Sequence, residues 1–325
     1  MKTSFARVAL TRLALTLATC IAALASGTAH ADAALAKGQA PGWYRMTLGS
    51  FEVTALSDGT VGLPVDKLLT NTSADKVMSL LARAYQSSPL ETSVNGYLIN
   101  TGSELVLIDT GAAGLFGPTL GKLVANLKAS GYQPEQVDEI YVTHMHPDHV
   151  GGLMSGDKRS FPNAVVRADV REGDFWLSKA NLDAAPADSK GFFQGAMASL
   201  NPYVAAGKFK AFDGDVELVP GIRALPARGH TPGHSLYVVE SQGEKLVVWG
   251  DLMHVAAVQF VEPQVTIQFD NDAKAAAPQR EKNYADAANK GYYVAVAHVS
   301  FPGIGKLRSD GRGYTWVPTN YSAGK

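Results

Sequence analysis

The densest chemistry in this 325-residue chain lies in seven consecutive residues, Thr143-His144-Met145-His146-Pro147-Asp148-His149. Histidines two apart diverge on a helix but share one face of an extended strand end, so His144 and His146 can grip one ion together. Pro147 disfavours a helical His146 and bends the chain. Asp148 and His149 are thereby aimed at a second point, where another ion can sit. The bland alternative, an exposed polar loop, leaves three imidazoles and a carboxylate at these fixed places unexplained.

Three further candidates stand alone. His230 sits in Gly229-His230-Thr231-Pro232-Gly233-His234, a tight loop after a short apolar strand, where ligands are commonly presented. Asp251 follows the apolar run 246–249, and His298 follows 294–297. Taken singly, a turn-forming aspartate and a satisfied core histidine explain them equally well. Together, four strand ends that each deliver His or Asp argue for one centre. His234 reads as structural.

The elements that position these residues are short strands punctuated by turns. Strands are expected at 51–55, 93–100 and 105–109, the last two joined as a hairpin through Thr101-Gly102-Ser103. Pro118 opens a helix expected to run to Ser130, where Gly131 stops it. Strand 140–143 leads straight into His144. Residues 169–205 read as helical, strands return at 211–212, 217–219, 222–225, 236–240 and 245–249, and a polar helix at 273–290 precedes a last buried strand at 293–297 before Gly-rich turns. Residues 32–45 read as a loose leader. Strand groups separated by helices, twice over, suggest two packed sheets with helices outside.

Lys2, Arg7 and Arg12 precede an apolar run and then Ala29-His30-Ala31, the pattern of a signal peptide cut after Ala31. Residues 1–31 are therefore set apart from a single domain at 32–325, and a periplasmic or secreted location is expected. The only cysteine, Cys20, falls in that segment, so no disulfide or thiolate ligand is expected beyond it. Basic and acidic residues nearly balance, at 29 and 30, and the pI is ≈ 6.7. Neither a nucleic acid nor, after signal removal, a membrane is suggested as partner.

The chain resembles the metallo-β-lactamase-fold hydrolases. It carries their HxHxDH motif at 144–149, the later His230, Asp251 and His298, and Asp109 in Leu107-Ile108-Asp109-Thr110-Gly111, in order across residues 90–302. Ala297-His298-Val299-Ser300-Phe301-Pro302-Gly303 and the amino-terminal segment are similar to the methyl parathion hydrolase group and the related aryl-lactone (dihydrocoumarin) hydrolases. The resemblance implies an α/β (α+β) fold, the αββα sandwich of the metallo-β-lactamase fold, with two metals at one edge. It implies that His144, His146 and His230 bind one metal and that Asp148, His149 and His298 bind the other. Asp251 would bridge them, and Asp109 would orient a histidine from behind. The donors suit Zn2+, with Mn2+, Co2+ or Fe2+ as alternatives. Relatives are often dimers, so a homodimer is the expectation carried over.

Such a centre holds a hydroxide between ions about 3.5–4 Å apart and directs it at a carbonyl carbon or phosphorus. Asp148 or Asp251 would relay a proton. His254, three residues after Asp251, would donate to the developing oxyanion or leaving group. Phe116, Trp176, Phe192 and Phe193, with Leu69, Ile267 and Phe269 as a bulky wall, would line an apolar substrate pocket. Asp251 argues against a class B β-lactamase, and His146 stands where oxygen-reactive di-iron relatives carry Glu. The expectation is an exported lactonase or aryl esterase with weak phosphotriesterase activity. The alternatives are an organophosphate hydrolase of the methyl parathion type, an acyl-homoserine lactone quorum-quenching lactonase and, from another class, a non-catalytic periplasmic metal-binding protein.

Overall fold

The structure, a computed structural model, describes residues 33 and 35–322. The expected signal segment, with Cys20 and the cleavage site, lies outside them. Residues 35–40 carry no helix or strand, and the chain from Pro41 onward forms one compact unit. Among the described residues no helix is long and apolar enough to cross a membrane.

Two seven-stranded sheets dominate, each with its strands in chain order. The first comprises β1 (Trp43–Leu48), β2 (Phe51–Leu63), β3 (Leu90–Asn100), β4 (Leu105–Ile108), β5 (Glu139–Tyr141), β6 (Val165–Asp169) and β7 (Phe209–Phe212). The second comprises β8 (Val216–Val219), β9 (Ile222–Pro226), β10 (Ser235–Ser241), β11 (Glu244–Val248), β12 (Tyr293–Ala295), β13 (Ile304–Ser309) and β14 (Tyr314–Pro318). Strands β4 to β7 run parallel, as do β11 and β12; the remaining neighbours are antiparallel.

The central strands are apolar on both faces because both faces are covered. On β4, Val106 and Ile108 enter the core between the sheets, while Leu105 and Leu107 face the outer core of the first half. On β10, Tyr237 and Val239 point inward and Leu236 and Val238 outward, into the outer core of the second half. Helices close those outer faces. In α4 (Lys190–Ala205), buried Phe193, Ala196, Leu200 and Tyr203 recur every three or four residues and join the first outer core. In α5 (Ala273–Lys290), Tyr284 and Ala287 do the same for the second. This is the expected αββα sandwich.

Four expectations need correction. Residues 43–48 form β1, paired with β2 from Trp43↔Leu56 to Leu48↔Phe51, and are not leader. The carboxy-terminal turns include the β13–β14 hairpin. The helix expected from Pro118 is α2 (Leu123–Ala129). Gly121 is left-handed (φ +84°), and buried Asp58 accepts from the backbone N–H groups of Ala112, Gly121 and Leu123, which holds residues 112–123 as a folded loop. Finally, Leu69 and Ile267 pair in a two-residue ladder that buries both in a separate apolar cluster with Val65, Leu81 of α1 (Ala74–Arg83) and Val258.

Candidate metal centre

Each candidate ligand leaves the carboxyl end of a strand. After β5 the chain stays extended through His146 (φ −68°, ψ 151°), and Pro147 then opens a single helical turn, Pro147–Val150. That turn aims the ligand atoms of Asp148 and His149 at a second cluster, although the His149 ring stays 4.1 Å from that of His144. His230 follows β9, Asp251 follows β11 and His298 follows β12. Gly250 precedes Asp251 in a left-handed conformation (φ +52°), where a Cβ would lie 2.7 Å from Thr143 Cβ; only glycine allows that approach.

The side chains converge in two groups. His230 Nε2 lies 3.2 Å from His144 Nε2 and 3.1 Å from His146 Nδ1. Asp251 stands between the groups and gives one oxygen to each. Its Oδ2 lies 3.6 Å from His144 Nε2 and 3.4 Å from His230 Nε2, while its Oδ1 lies 3.1 Å from His149 Nε2 and 3.0 Å from His298 Nε2. Asp148 Oδ2 is 3.5 Å from both His149 Nε2 and His298 Nε2. The result is two four-residue clusters, His144–His146–His230–Asp251 and Asp148–His149–Asp251–His298, that share Asp251.

These clusters suit a dinuclear metal site. His149 Nε2 and Asp251 Oδ1 are buried and, although 3.1 Å apart, make no well-formed hydrogen bond, a situation that costs about 1–3 kcal/mol per group. A cation in each cluster removes that cost, and nitrogen and carboxylate oxygen donors fit zinc and its neighbours.

Most of the histidines are oriented from behind by an acceptor on the other ring nitrogen. His149 Nδ1 donates to Asp109 Oδ2 at 2.8 Å, and Asp109 also accepts from the Thr143 N–H and hydroxyl. His298 Nδ1 donates to the Ser93 carbonyl at 2.9 Å. His230 Nδ1 donates to Asp270 Oδ1 at 2.8 Å. Asp109 was singled out from the sequence for this contact; Asp270 and Ser93 were not. His234, read as structural, accepts from the Asp251 N–H through Nε2 and lies 3.1 Å from the Ala227 carbonyl through Nδ1. Buried Glu172, also missed, accepts from Met145, Thr231 and Gly233.

The electrostatics follow from burial and from the central carboxylates. Burial, with the neighbouring histidines, pushes His144 and His146 well below the ordinary histidine value. Burial together with His230 lowers His234 to about 3, which keeps it neutral. His149 is driven the other way: Asp251, Asp148 and Asp109 overcome its burial and raise it. Asp251 and Asp270 likewise overcome burial at His230 and raise it to about 9. Asp251 itself is held well below the usual carboxylate range, its burial outweighed by His298 and the other imidazoles.

A narrow cleft opens onto the clusters, walled by Val61, Leu63, Phe116, Phe192 and Phe269. His254 joins them: it is buried, its Nε2 lies 3.0 Å from Asp251 Oδ2, and neither ring nitrogen makes a well-formed hydrogen bond. An adjoining cavity of ≈ 380 Å3 shares His146, Phe192 and Phe269 with the cleft and adds Phe175, Trp176 and Phe193. Five of the seven expected pocket residues therefore line this space. Leu69 and Ile267 do not, because their ladder turns them into the separate apolar cluster; Val61 and Leu63 supply the wall instead.

A family model for the metallo-beta-lactamase superfamily matches residues 90–298. A solved structure, "hydrolase AbOPH in beta lactamase superfamily", is 38% identical, with a TM-score of 0.83 over 88% of this chain and 100% of that one. AidC, a dizinc quorum-quenching lactonase solved with the product N-hexanoyl-L-homoserine, is 26% identical with a TM-score of 0.79, covering 86% of this chain and 98% of that one. An N-acyl homoserine lactonase of Bacillus sp. is 30% identical over 172 residues, which span 47% of this chain and 60% of that relative.

Proposed function

We propose that this chain, which belongs to the metallo-beta-lactamase superfamily of hydrolases, opens lactones and aryl esters at a dinuclear centre built on Asp251. The observation that carries the reading is the placement of one Asp251 oxygen in each histidine cluster, beneath a cleft of aromatic and aliphatic side chains. His144, His146 and His230 would hold one ion, Asp148, His149 and His298 the other, with Asp251 between them. Zinc is favoured by the nitrogen and oxygen donors and by the dizinc relative. When bound, such a pair supplies an activated water and Lewis-acid polarisation of the electrophile.

The chain's own residues do the rest. Phe116, Phe192 and Phe269 exclude bulk water and seat an apolar ring or acyl chain against the clusters. Asp148 is the more exposed of the two central carboxylates, so it is the one placed to pass a proton toward solvent. Burial pushes His254 below the ordinary histidine value. It therefore presents a neutral imidazole at the cleft, whose single N–H turns from Asp251 Oδ2, 3.0 Å from its Nε2, to the oxygen that gains charge as the ester opens. A neutral donor in an otherwise apolar cleft favours carboxylic ester and lactone over phosphotriester, and weak phosphotriesterase activity is proposed as a by-product. The amino-terminal segment supports an exported enzyme.

The test is turnover of dihydrocoumarin and of a nitrophenyl phosphotriester by metal-replete protein, before and after chelation. A kcat/KM more than tenfold higher for the phosphotriester would reverse the assignment in favour of an organophosphate hydrolase. A second reading, opening of acyl-homoserine lactones, is favoured by the activities named for AidC and the Bacillus relative. It predicts efficient hydrolysis of N-hexanoyl homoserine lactone by the same preparation.

A further inference from the structure

Glu172 occupies the first turn of α3 (Val170–Trp176) and is fully buried, with no exposed surface. Burying a carboxylate is costly unless donors surround it, and three do. The Met145 N–H donates to Oε2 at 2.9 Å, and the Thr231 hydroxyl and the Gly233 N–H donate to Oε1 at 2.5 and 2.7 Å. Met145 lies between His144 and His146, whereas Thr231 and Gly233 flank His230 on its carboxyl side. One carboxylate thus joins two loops that are 84–86 residues apart in the chain and whose imidazoles meet at 3.1–3.2 Å. Gly233 completes the fit, since a Cβ there would lie 2.8 Å from the Glu172 backbone nitrogen.

We infer that Glu172 is a positioning residue that sets the spacing of the His144–His146–His230 cluster and thereby its hold on one of the two ions, an inference that rests on the dinuclear reading above. The chemistry demands an acid here. All three partners are donors, so a glutamine can satisfy the Thr231 and Gly233 side with its oxygen only by turning its own NH2 against the Met145 N–H. The Asp148–His149–His298 cluster has no contact with Glu172 and should be indifferent to the change.

The experiment compares wild type with Glu172→Gln, titrating metal-free protein with zinc against a chromophoric chelator and recording the absorption spectrum of the cobalt(II)-loaded proteins. The expected result is two ions in wild type, with one weakened about tenfold in the variant, the other within twofold, and an altered cobalt spectrum. Thr231→Val removes one donor and should shift the same ion in the same direction by less; Thr231→Ser keeps the hydroxyl and should restore it. These two variants decide the matter if Glu172→Gln does not fold. Two ions of unchanged affinity and spectrum overturn the inference while leaving the dinuclear reading intact, as does an equal loss at both sites accompanied by a lower melting temperature. A wild type that takes up no pair of ions overturns both.

Discussion

Replacing Asp270 tests how a side chain that never meets an ion controls one. The Asp270 carboxylate is fully buried; its Oδ1 lies 2.8 Å from His230 Nδ1 and its Oδ2 accepts from the Ile267 N–H at 3.1 Å. A hydrogen bond to a charged acceptor is about twice as strong as a neutral one, which contributes about 1 kcal/mol. In Asp270→Asn the oxygen can serve His230 or Ile267 but not both, and the amide meets a donor on the other side. Asp270→Ala removes both contacts. Outer contacts of this kind typically change metal affinity 10–100-fold, so about tenfold is expected for asparagine and about a hundredfold for alanine at one of the two ions. Protons modify the figure. Asp270 helps Asp251 raise His230 to about 9, so near neutral pH an ion must displace a proton in wild type, and less so in either variant. The loss should therefore be smaller at pH 7 than at pH 9.5, where that competition has faded. Zinc competition titrations at the two pH values read the effect. Unchanged affinity of Asp270→Ala at pH 9.5 would falsify the reasoning.

Other outcomes follow from the same geometry. His149 and His298 are raised by Asp251 and its neighbouring carboxylates, and His230 is raised to about 9, so the metal-free protein holds protons that ions must expel. Zinc affinity should accordingly climb with pH, through the region near 9 where His230 gives up its proton, with proton release measured by calorimetry in buffers of different ionisation enthalpy; uptake independent of pH is the contrary result. His254→Ala should lower kcat for dihydrocoumarin about a hundredfold while changing phosphotriester turnover less; an equal fall for both substrates would remove His254 from the assignment. Phe192→Ala, which strips a ring packed on His146 at 4.8 Å, should raise KM for aryl substrates about tenfold with kcat held, and a fall in kcat alone contradicts that. Zinc at a hundred times its Kd should stabilise the metal-free fold by about 3 kcal/mol for each ion bound, seen as a higher melting temperature that chelation reverses.

The residues of the two clusters were legible because their signal is local. The 144–149 motif carries its geometry in Pro147 and in the two-residue strand period, and His230, Asp251 and His298 each follow an apolar strand. Asp270 and Glu172 had no such signal. In sequence each is one carboxylate among 30 acidic residues, and its meaning comes from partners 27 to 61 residues away in the loops after β5 and β9. The edge elements were missed for a different reason. Strand β1 and the β13–β14 hairpin are half-buried, so their apolar pattern is weak. Leu69 and Ile267 were misplaced because apolar residues near a cleft in sequence terms pair instead with each other, a decision made by a two-residue ladder that composition does not betray.

The side chains around Asp251 come from strand ends packed between the sheets, whereas the walls of the cleft come from elsewhere: β2, the loop held by Asp58, helix α4, and the segment before Asp270. Reaction and recognition are therefore written on different stretches of chain. A lineage can exchange Phe116 with less effect on the donors beneath than Phe192, which packs on His146, and drift from one ester to another while its hydrolytic apparatus stays put. The tether between the two is Asp270, next to wall residue Phe269 and bonded to His230. It marks the boundary at which retargeting begins to cost reactivity.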